Sequence, residues 1–594
     1  MSPRQEDVIG QVNGDFGRWQ LRTILLIFFL KIPSAWLMAA IIYTAPSPRK
    51  GEYYCKPPEA LKENFTKNWI MVPHSVQEGT NTDREFDIDM CHLYENTIQN
   101  NFAATHSNYS NPFRKPKAQQ KIIPCEHFQH NSKFESLVTQ FDLVCSRQVL
   151  VSVSQTFHTI GTLVGGLITK SALNHISPRK LMLVGMVGQI ICGNLTGMMP
   201  KFSLHVIFRL LTSAFCCFMY TTGQVILTDI TGGQAKVIVR CLFELFWSIG
   251  LILLPGISIF VDDWSQLYYV ISSFTIFLLL LNRWIADSPR WLAKHGKYDE
   301  ALQELLESAT INNKNIPVDL EEQLREYGSF IKHDKSLSYL CIWDETTNWK
   351  YVLALHWAWV WASFLYNSMI LAIRQFGVDH IHINTVTMGF AEMVGVILGL
   401  FLILYTKRHW LWAGISMIST GLLAYLIWLI PSNLGETQRI GLGMILCLGI
   451  KGASAVSMSV LTTCSGELVR RNCRRTLMAS VVIHSRFWLI FSSLSSALSL
   501  IHSLAPLTMF ASLAVLNGLL MCYLNTEFWS KEQQGSARVP SLAVYRKSLA
   551  FIRMKRKPVM PNKISKLEFS RSISIRDLWM ESKQQKSKYV RNSV

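Results

Sequence analysis

Residues 21–44 read LRTILLIFFLKIPSAWLMAAIIYT and contain only two charged side chains, Arg22 and Lys31. A helix of about 20 apolar residues is long enough to cross the ~30 Å hydrocarbon layer of a bilayer. No small-residue cleavage site of the kind that ends a signal peptide follows this run. The stretch therefore predicts a first membrane-spanning helix.

Apolar runs of similar length recur along the chain. Of its 594 residues, 49% are hydrophobic and 16% are charged, whereas soluble domains carry roughly 25% charged residues. The pattern predicts an all-α membrane protein with twelve transmembrane helices in two six-helix pseudo-repeats. The predicted spans are 21–44, 149–170, 179–199, 204–226, 237–260, 266–286, 350–374, 382–405, 409–431, 437–461, 475–500 and 504–526.

The spacing of these spans predicts how the chain is organised. Between the two sets of spans lies a polar segment with amphipathic helical patterns at 298–306 and 320–330. The predicted parts are a cytoplasmic N-terminus (1–20), a first six-helix bundle (21–286) with an extracellular loop (45–148), a cytoplasmic connector (287–349), a second bundle (350–527) and a basic cytoplasmic tail (528–594).

The formal charge of +18 is concentrated in that tail. From Trp529 to the end there are sixteen Lys or Arg residues and four Asp or Glu residues, a net charge of +12. A basic segment beside a bilayer is attracted to anionic lipid on the cytoplasmic leaflet. We therefore predict a membrane-lipid partner for the tail and no nucleic acid.

Short loops set the predicted orientation. The loops that follow the second, fourth, eighth and tenth spans are rich in Lys and Arg, which marks the cytoplasmic side. Both termini are then cytoplasmic in a multi-pass protein of the cell membrane, and residues 45–148 lie outside. That loop holds two glycosylation acceptors and four cysteines, which suit an oxidising compartment. The acceptors are Asn64 and Asn108; the cysteines are Cys55, Cys91, Cys125 and Cys145, for which three pairings are possible.

An acidic and a basic residue recur at matched places in the two halves. Asp229 follows the fourth span with Lys236 seven residues later, and Glu467 follows the tenth with Arg474 seven residues later. Such pairs at the cytoplasmic face are candidates for a gate between the two bundles. The alternative is a surface salt bridge worth ~0–1 kcal/mol.

Several motifs resemble the major facilitator superfamily, and more narrowly its organic cation, anion and zwitterion transporter branch, solute carrier family 22. They are Gly14-Asp-Phe-Gly-Arg-Trp-Gln20 before the first span, the long loop after it, Asp287-Ser-Pro-Arg-Trp-Leu292 after the sixth span, Lys451 in the tenth and Glu467-Leu468 at its end. The resemblance covers most of residues 14–527. The chain departs from it after the second and eighth spans, where the family's Asp-Arg-x-Gly-Arg pattern lacks both its Asp and its Gly.

Charged residues at bilayer depth cost at least ~2.5–3.5 kcal/mol and need a partner or a function. Arg486 lies in the eleventh span, where the resemblance implies the residue that recognises substrate charge; a guanidinium there suits a carboxylate. Lys451 either sets the local potential or holds a helix–helix pair. Glu244 is a candidate for an ammonium group or a partner of Arg240 one turn away. Lys31 and Glu392 are likewise candidates either for a structural pair or for a substrate contact.

The seventh span is rich in aromatic residues, most of which are expected to serve packing. Tyr366 is the exception, because its setting resembles the family's pocket tyrosine; Phe243 is a second pocket candidate. We found no catalytic, nucleotide-binding or metal-binding motif, so we predict no enzyme activity, cofactor or metal. The expected function is secondary-active or facilitated transport, by a monomer, of small organic anions or carboxylate-bearing zwitterions. The alternatives are an organic cation transporter and a non-transporting receptor.

Overall fold

The computed structural model describes most of the chain, in the ranges 8–48, 52–56, 71–73, 88–94, 122–131, 134–333, 349–372, 380–431, 433, 435–468, 474–493 and 505–533. Across these ranges the structure is dominated by long helices, and twelve of them have 16 residues or more. By length and composition, nine helices in the described ranges can cross a membrane. The long apolar helices agree with the predicted all-α membrane class.

The described N-terminal part of the chain contains nine α-helices, six of which form a first bundle. They are α1 (Val8–Asn13), α2 (Arg18–Ala39), α3 (Ile41–Thr44), α4 (Leu137–Gln140), α5 (Val149–Ala172), α6 (Pro178–Met198), α7 (Phe202–Ile230), α8 (Gly233–Ile259) and α9 (Trp264–Leu280). We call α2 and α5–α9 the first bundle.

The remaining helices form a connector and a second bundle. The connector helices are α10 (Pro289–Lys294), α11 (Tyr298–Asn312) and α12 (Leu320–His333). The second bundle comprises α13 (Trp349–Ala372), α14 (Ile381–Tyr405), α15 (His409–Leu426), α16 (Glu436–Cys464), α17 (Arg474–Leu489) and α18 (Ala505–Gln533).

Local chemistry fixes several helix starts. The hydroxyl of Ser177 accepts a hydrogen bond from the backbone N–H of Lys180, and Pro178 occupies the first turn of α6. Asp263 caps α9 by accepting from the backbone N–H of Gln266. Such caps satisfy backbone donors that a helix leaves unpaired. The loops between spans thus contain capping residues that fix where the next helix begins.

Small residues allow α5 and α7 to pack closely. A methyl group added at Gly165 would lie 2.6 Å from the backbone oxygen of Ala214 and 2.8 Å from its Cα atom. Gly161, one turn earlier, faces Ser213 and the backbone of Leu210. Without an aqueous driving force between helices, close backbone approach of this kind provides the packing energy in membranes.

Each bundle has its own buried core. The first is built around side chains such as Trp19, Trp36 and Trp264, all at most 4% exposed. The second is built around Trp410 and Met417, at most 1% exposed. A further apolar cluster joins α1 to the connector helices and contains Ile9, Leu292, Leu305 and Leu324. The connector is also tied to α2, since Arg22 lies 2.7 Å from Glu307.

Five short strands lie between α3 and α4. They are β1 (Tyr53–Cys55), β2 (Met71–Pro73), β3 (Ile88–Tyr94), β4 (Ile122–Pro124) and β5 (Phe128–His130). β1 pairs with β5, and β3 pairs with both β2 and β4, all antiparallel. Disulfides join Cys55 to Cys125 and Cys91 to Cys145, one of the three pairings left open by the sequence. We call the helix ends nearest these strands the loop side, and those nearest α10–α12 the connector side. Asn64 and Asn108 lie outside the described residues.

Candidate functional site

The interior of the bundles holds charged side chains from several different helices. Four of them lie well inside membrane-length helices: Lys31 in α2, Glu244 in α8, Glu392 in α14 and Lys451 in α16. The fifth, Arg486, lies in the last turn of the 16-residue helix α17. Their mutual contacts decide which charges are neutralised by the protein and which remain available.

Lys31 and Glu244 form an ion pair within the first bundle. Lys31 Nζ lies 3.1 Å from Glu244 Oε2 and 3.4 Å from Oε1. Gln224 Nε2 donates to the same Oε1 atom over 3.4 Å. The lysine side chain is 7% exposed and that of the glutamate 26% exposed. The sequence left Glu244 as a contact for a substrate ammonium or as a partner of Arg240, and the structure pairs it with Lys31.

Three aromatic rings surround the Lys31 ammonium. Its Nζ atom lies 4.4 Å from the ring centroid of Phe243, 5.1 Å from that of Tyr220 and 5.5 Å from that of Trp247. All three distances fall within the ~6 Å range of a cation–π interaction. Phe243, predicted as a pocket residue, is 1% exposed, so its ring faces the protein's own ammonium.

Glu392 and Lys451 form a second ion pair within the second bundle. Lys451 Nζ lies 3.1 Å from Glu392 Oε2, and both side chains are 1% exposed. The Tyr366 hydroxyl donates to Glu392 Oε1, and the Lys451 Nζ lies 3.5 Å from the Tyr366 ring centroid. Ser248 of α8 donates to the same Oε1 over 3.0 Å, which links the first bundle to this pair. Lys451 thus has the helix–helix partner that the sequence left as one of two possibilities.

Arg486 reaches from the second bundle into the first. Its Nη1 donates to the backbone oxygen of Thr162 over 3.1 Å and to the Cys217 sulfur over 3.0 Å, and its Nη2 donates to the Tyr220 hydroxyl over 2.7 Å. The guanidinium carbon lies 5.4 Å from the Tyr220 ring centroid. Gly166 lies beside the guanidinium, and a methyl group at that position would collide with Nη1.

All the partners of Arg486 in the described part of the chain are uncharged. Within those ranges, no carboxylate lies within ion-pair distance of its guanidinium. The side chain is partly exposed, so it is neither buried in a core nor turned wholly to solvent. Tyr220 contacts both Arg486 and Lys31, so the two cations share one aromatic neighbour.

At the connector side, the predicted gate residue Asp229 contacts the connector. Ser288 Oγ donates to Asp229 Oδ2 over 2.6 Å, and Arg290 Nε donates to its backbone oxygen over 3.2 Å. Ser288 also caps α10 by accepting from the backbone N–H of Trp291. The side chains of two other predicted gate residues, Glu467 and Arg474, lie outside the described residues. The gate therefore stays a prediction.

Arg179 and Glu304 continue this network. Arg179 donates from Nη2 to the backbone oxygens of Asn282 and Arg283 over 3.1 and 3.0 Å, and its backbone N–H donates to Asp287 Oδ1. The Asp287 N–H donates to Glu304 Oε1 over 3.3 Å. Burial raises the pKa of the Glu304 carboxyl to about 7, although that hydrogen bond opposes the rise.

A cavity of about 560 Å³ opens at the loop side. Its walls come from the end of α3, the region of strands β1–β5, which we call the strand module, and the start of α14. They include Tyr43, Glu52, His130 and His382. The imidazole of His382 stacks on Tyr43 with ring centroids 5.2 Å apart and contacts Ser258 Oγ at 3.3 Å. The two bundles therefore meet at this mouth.

Sequence reasoning missed Tyr220 and Trp247 as members of the site. It also named Lys31 and Glu392 without partners. The signal for the two ion pairs was present: each bundle carries one lysine and one glutamate at depth, and opposite charges in hydrocarbon seek each other. The sequence does not show which helices lie next to each other, so the partners could not be assigned.

Two sets of membrane-length helices, each with its own core and with ionised groups between them, define a multi-pass membrane protein with a polar interior. The chain belongs to the Major Facilitator Superfamily, whose family model matches residues 146–493. The superfamily comprises transporters and not enzymes.

The relatives agree with the narrower resemblance. Mouse solute carrier family 22 member 3 is 26% identical over 447 residues, which cover 73% of this chain and 78% of the relative. Organic anion transporter 3 of Oryctolagus cuniculus is 23% identical over 511 residues, covering 85% and 88%. The solved E. coli xylose transporter XylE matches with a TM-score of 0.54 at 13% identity, covering 86% of this chain and 95% of that one, a likeness of fold alone.

Proposed function

We propose that this chain transports small organic anions, or zwitterions that bear a carboxylate, by alternating access of the two bundles. The observation that carries the proposal is the position of Arg486. It is a partly exposed residue within the predicted eleventh span, and the partners of its guanidinium in the described residues are a backbone carbonyl, a thiol and a phenol. A cation in that setting favours an anionic ligand.

The two lysines and two glutamates of this interior neutralise one another. Lys31 is paired with Glu244, and Lys451 with Glu392. Arg209 also has neutral partners, with Nη1 3.0 Å from the Tyr268 hydroxyl and Nη2 2.5 Å from Gln155 Oε1. It is 1% exposed inside the first bundle and out of reach of a solute. Arg486 is therefore the accessible excess cation of this set.

The guanidinium geometry suits a carboxylate in particular. Arginine presents paired N–H donors that match two carboxylate oxygens, and such charge-assisted bonds are about twice as strong as neutral ones. In the structure, Nη1 and Nη2 are used by Thr162 and Tyr220 of the first bundle. A substrate carboxylate exchanging with these neutral acceptors would loosen one tie between the bundles, which couples binding to their relative movement.

The name of one relative supports the same reading, since the Oryctolagus protein is called an organic anion transporter. The runner-up substrate is an organic cation. Glu244 is its best candidate contact, because its carboxylate is 26% exposed, but it would first have to leave Lys31. An anion need only exchange with neutral partners of Arg486, whereas a cation must displace an ammonium from an ion pair, so the anion is favoured.

The proposed setting is the cell membrane, with both termini in the cytoplasm, a small organic ion as the partner and a monomer as the working unit. The distribution of Lys and Arg in the short loops supports this orientation. Energy would come from solute or ion gradients, with no nucleotide or metal required.

Uptake by cells expressing the full chain tests the proposal. Labelled hippurate, carnitine and tetraethylammonium serve as anion, zwitterion and cation, and surface biotinylation measures delivery. R486A should lower kcat/KM for the carboxylate substrates by about 10- to 100-fold, because it removes charge-assisted hydrogen bonds worth about 1.5–3 kcal/mol. R486K, which keeps the charge but not the paired donors, should fall between R486A and the native protein.

The outcomes separate the alternatives. Uptake of tetraethylammonium alone, unaffected by R486A, would replace the anion proposal with a cation carrier. Normal surface delivery without uptake of any class, at several pH values and with or without sodium, would favour the non-transporting receptor.

A further inference from the structure

The Lys31 side chain lies where a ligand ammonium would lie. Its Nζ faces the Glu244 carboxylate at 3.1 Å and three ring faces at 4.4–5.5 Å. A carboxylate combined with several aromatic faces is the arrangement by which proteins recognise alkylated ammonium ions. Here the arrangement comes from two helices, α7 and α8, and its occupant from a third, α2.

We infer that Tyr220, Phe243, Trp247 and Glu244 form an ammonium-binding cage that Lys31 occupies as a tethered internal ligand. Removing the lysine head group exposes a site for alkylammonium and quaternary ammonium ligands. Lys31 is accordingly the residue that excludes organic cations from this part of the molecule. This consequence for transport rests on the proposed function, whereas the cage itself does not.

The simpler explanation is a structural ion pair in which Lys31 only neutralises Glu244. The surroundings of the ammonium argue for more than that. Lys451 is also paired, but one ring faces its Nζ and its glutamate is 1% exposed. At Lys31 three rings converge, and the Glu244 side chain is 26% exposed, which leaves an approach for a solute. The cage is therefore filled on the lysine side and open on the carboxylate side.

Cutting Lys31 back to alanine removes a fragment equivalent to n-propylammonium. The test uses the purified full-length protein in detergent and measures its unfolding temperature with 10 mM n-propylammonium, 10 mM tetramethylammonium or 10 mM 1-propanol. A ligand that binds only the folded state raises this temperature. We expect both cations to raise the Tm of K31A by at least about 2 °C, and expect no shift with the neutral alcohol or in the native protein.

K31M is the matched control. Its side chain refills the cage with apolar atoms and removes the charge, so the cations should not stabilise it. Because K31A leaves Glu244 without its partner, K31A/E244Q provides a second route that buries no unpaired carboxylate. It retains the three rings and should still respond to tetramethylammonium, unlike K31M/E244Q.

Equal shifts for K31A and the native protein, together with no response of K31A/E244Q, would overturn the cage. Uptake is scored separately: K31A should gain tetramethylammonium-sensitive transport of cations if the chain is a carrier. Cation-dependent stabilisation without uptake would retain the cage and contradict the proposed transport function. Uptake of carboxylates by the native protein without stabilisation of either variant would support the proposed transport function and contradict the cage.

Discussion

The Lys451 ammonium lies 3.1 Å from the Glu392 carboxylate, and both side chains are 1% exposed. The pair joins α16 to α14, and Ser248 of α8 extends it to the first bundle. A buried pair of this kind contributes little net stability, but removing one partner leaves an uncompensated charge. The two residues should therefore behave as a unit.

We predict that K451M or E392Q alone lowers the free energy of unfolding by about 3 kcal/mol, whereas K451M/E392Q returns most of it. The glutamine of the double variant can still accept from Tyr366 and Ser248. Thermal unfolding of the purified variants measures the coupling. Additive losses would mean that the two charges do not depend on each other.

The Ser288–Asp229 contact gives a second prediction. Ser288 donates to Asp229 over 2.6 Å while its oxygen caps α10, so S288A removes two interactions at once. The loss of about 1–2 kcal/mol should speed hydrogen exchange in residues 289–312 by roughly tenfold. S288T keeps the hydroxyl and should exchange at the native rate. Unchanged exchange in S288A would show that α10 is held by its apolar contacts alone.

Glu304 predicts a pH dependence at the connector side. Burial places its pKa at about 7, above the ordinary value of 4.5, so between these values the folded state retains a proton that the unfolded state has lost. The carboxyl therefore destabilises the fold increasingly as pH rises through this window, and no further above it. Once corrected for the intrinsic chemical rate, hydrogen exchange in α11 should still accelerate from pH 5 to pH 8.

E304Q is the control, because it stays neutral and can accept the Asp287 N–H. Its exchange, corrected for the intrinsic chemical rate, should be independent of pH across this window. At pH 8 it should be slower than in the native protein. An identical pH profile in both proteins would assign the dependence to another group.

Packing between α5 and α7 gives a fourth prediction. G165A places a methyl group against the backbone of Ala214, and overpacking of this kind costs about 1–3 kcal/mol. G441A is matched to it, since nothing lies within 4 Å of a methyl group at that α16 position; it should be neutral or stabilising by up to about 1 kcal/mol. Thermal unfolding of both distinguishes close packing from a general effect of adding a methyl group. Equal Tm values would contradict the close contact.

The helices were predictable because bilayer thickness fixes the length of an apolar run. The span predicted at 382–405 and the helix Ile381–Tyr405 illustrate this. Helices extend beyond their apolar runs where polar ends project past the hydrocarbon, as in α7, which continues through Asp229 to Ile230. Hydropathy alone cannot show such extensions, because they depend on the capping and packing of residues beyond the bilayer.

The candidate site was predictable in its members more than in its contacts. Arg486, Lys451 and Tyr366 were identified from the resemblance, and Phe243 was a second pocket candidate. The aromatic surroundings of Lys31 and the link from Ser248 to Glu392 depend on which helices adjoin. That information lies in the tertiary arrangement, since no period within one span specifies its neighbour.

The Cys91–Cys145 bond fastens the strand module to the segment that enters α5, and Glu135 and Gln140 bond Trp264 at the start of α9. The strand module is thus anchored to the first bundle. The loop-side cavity is also lined by second-bundle residues, Ile381 and His382. If the two bundles alternate as proposed, a crosslink between the strand module and this end of α14 would slow transport without touching the central charges.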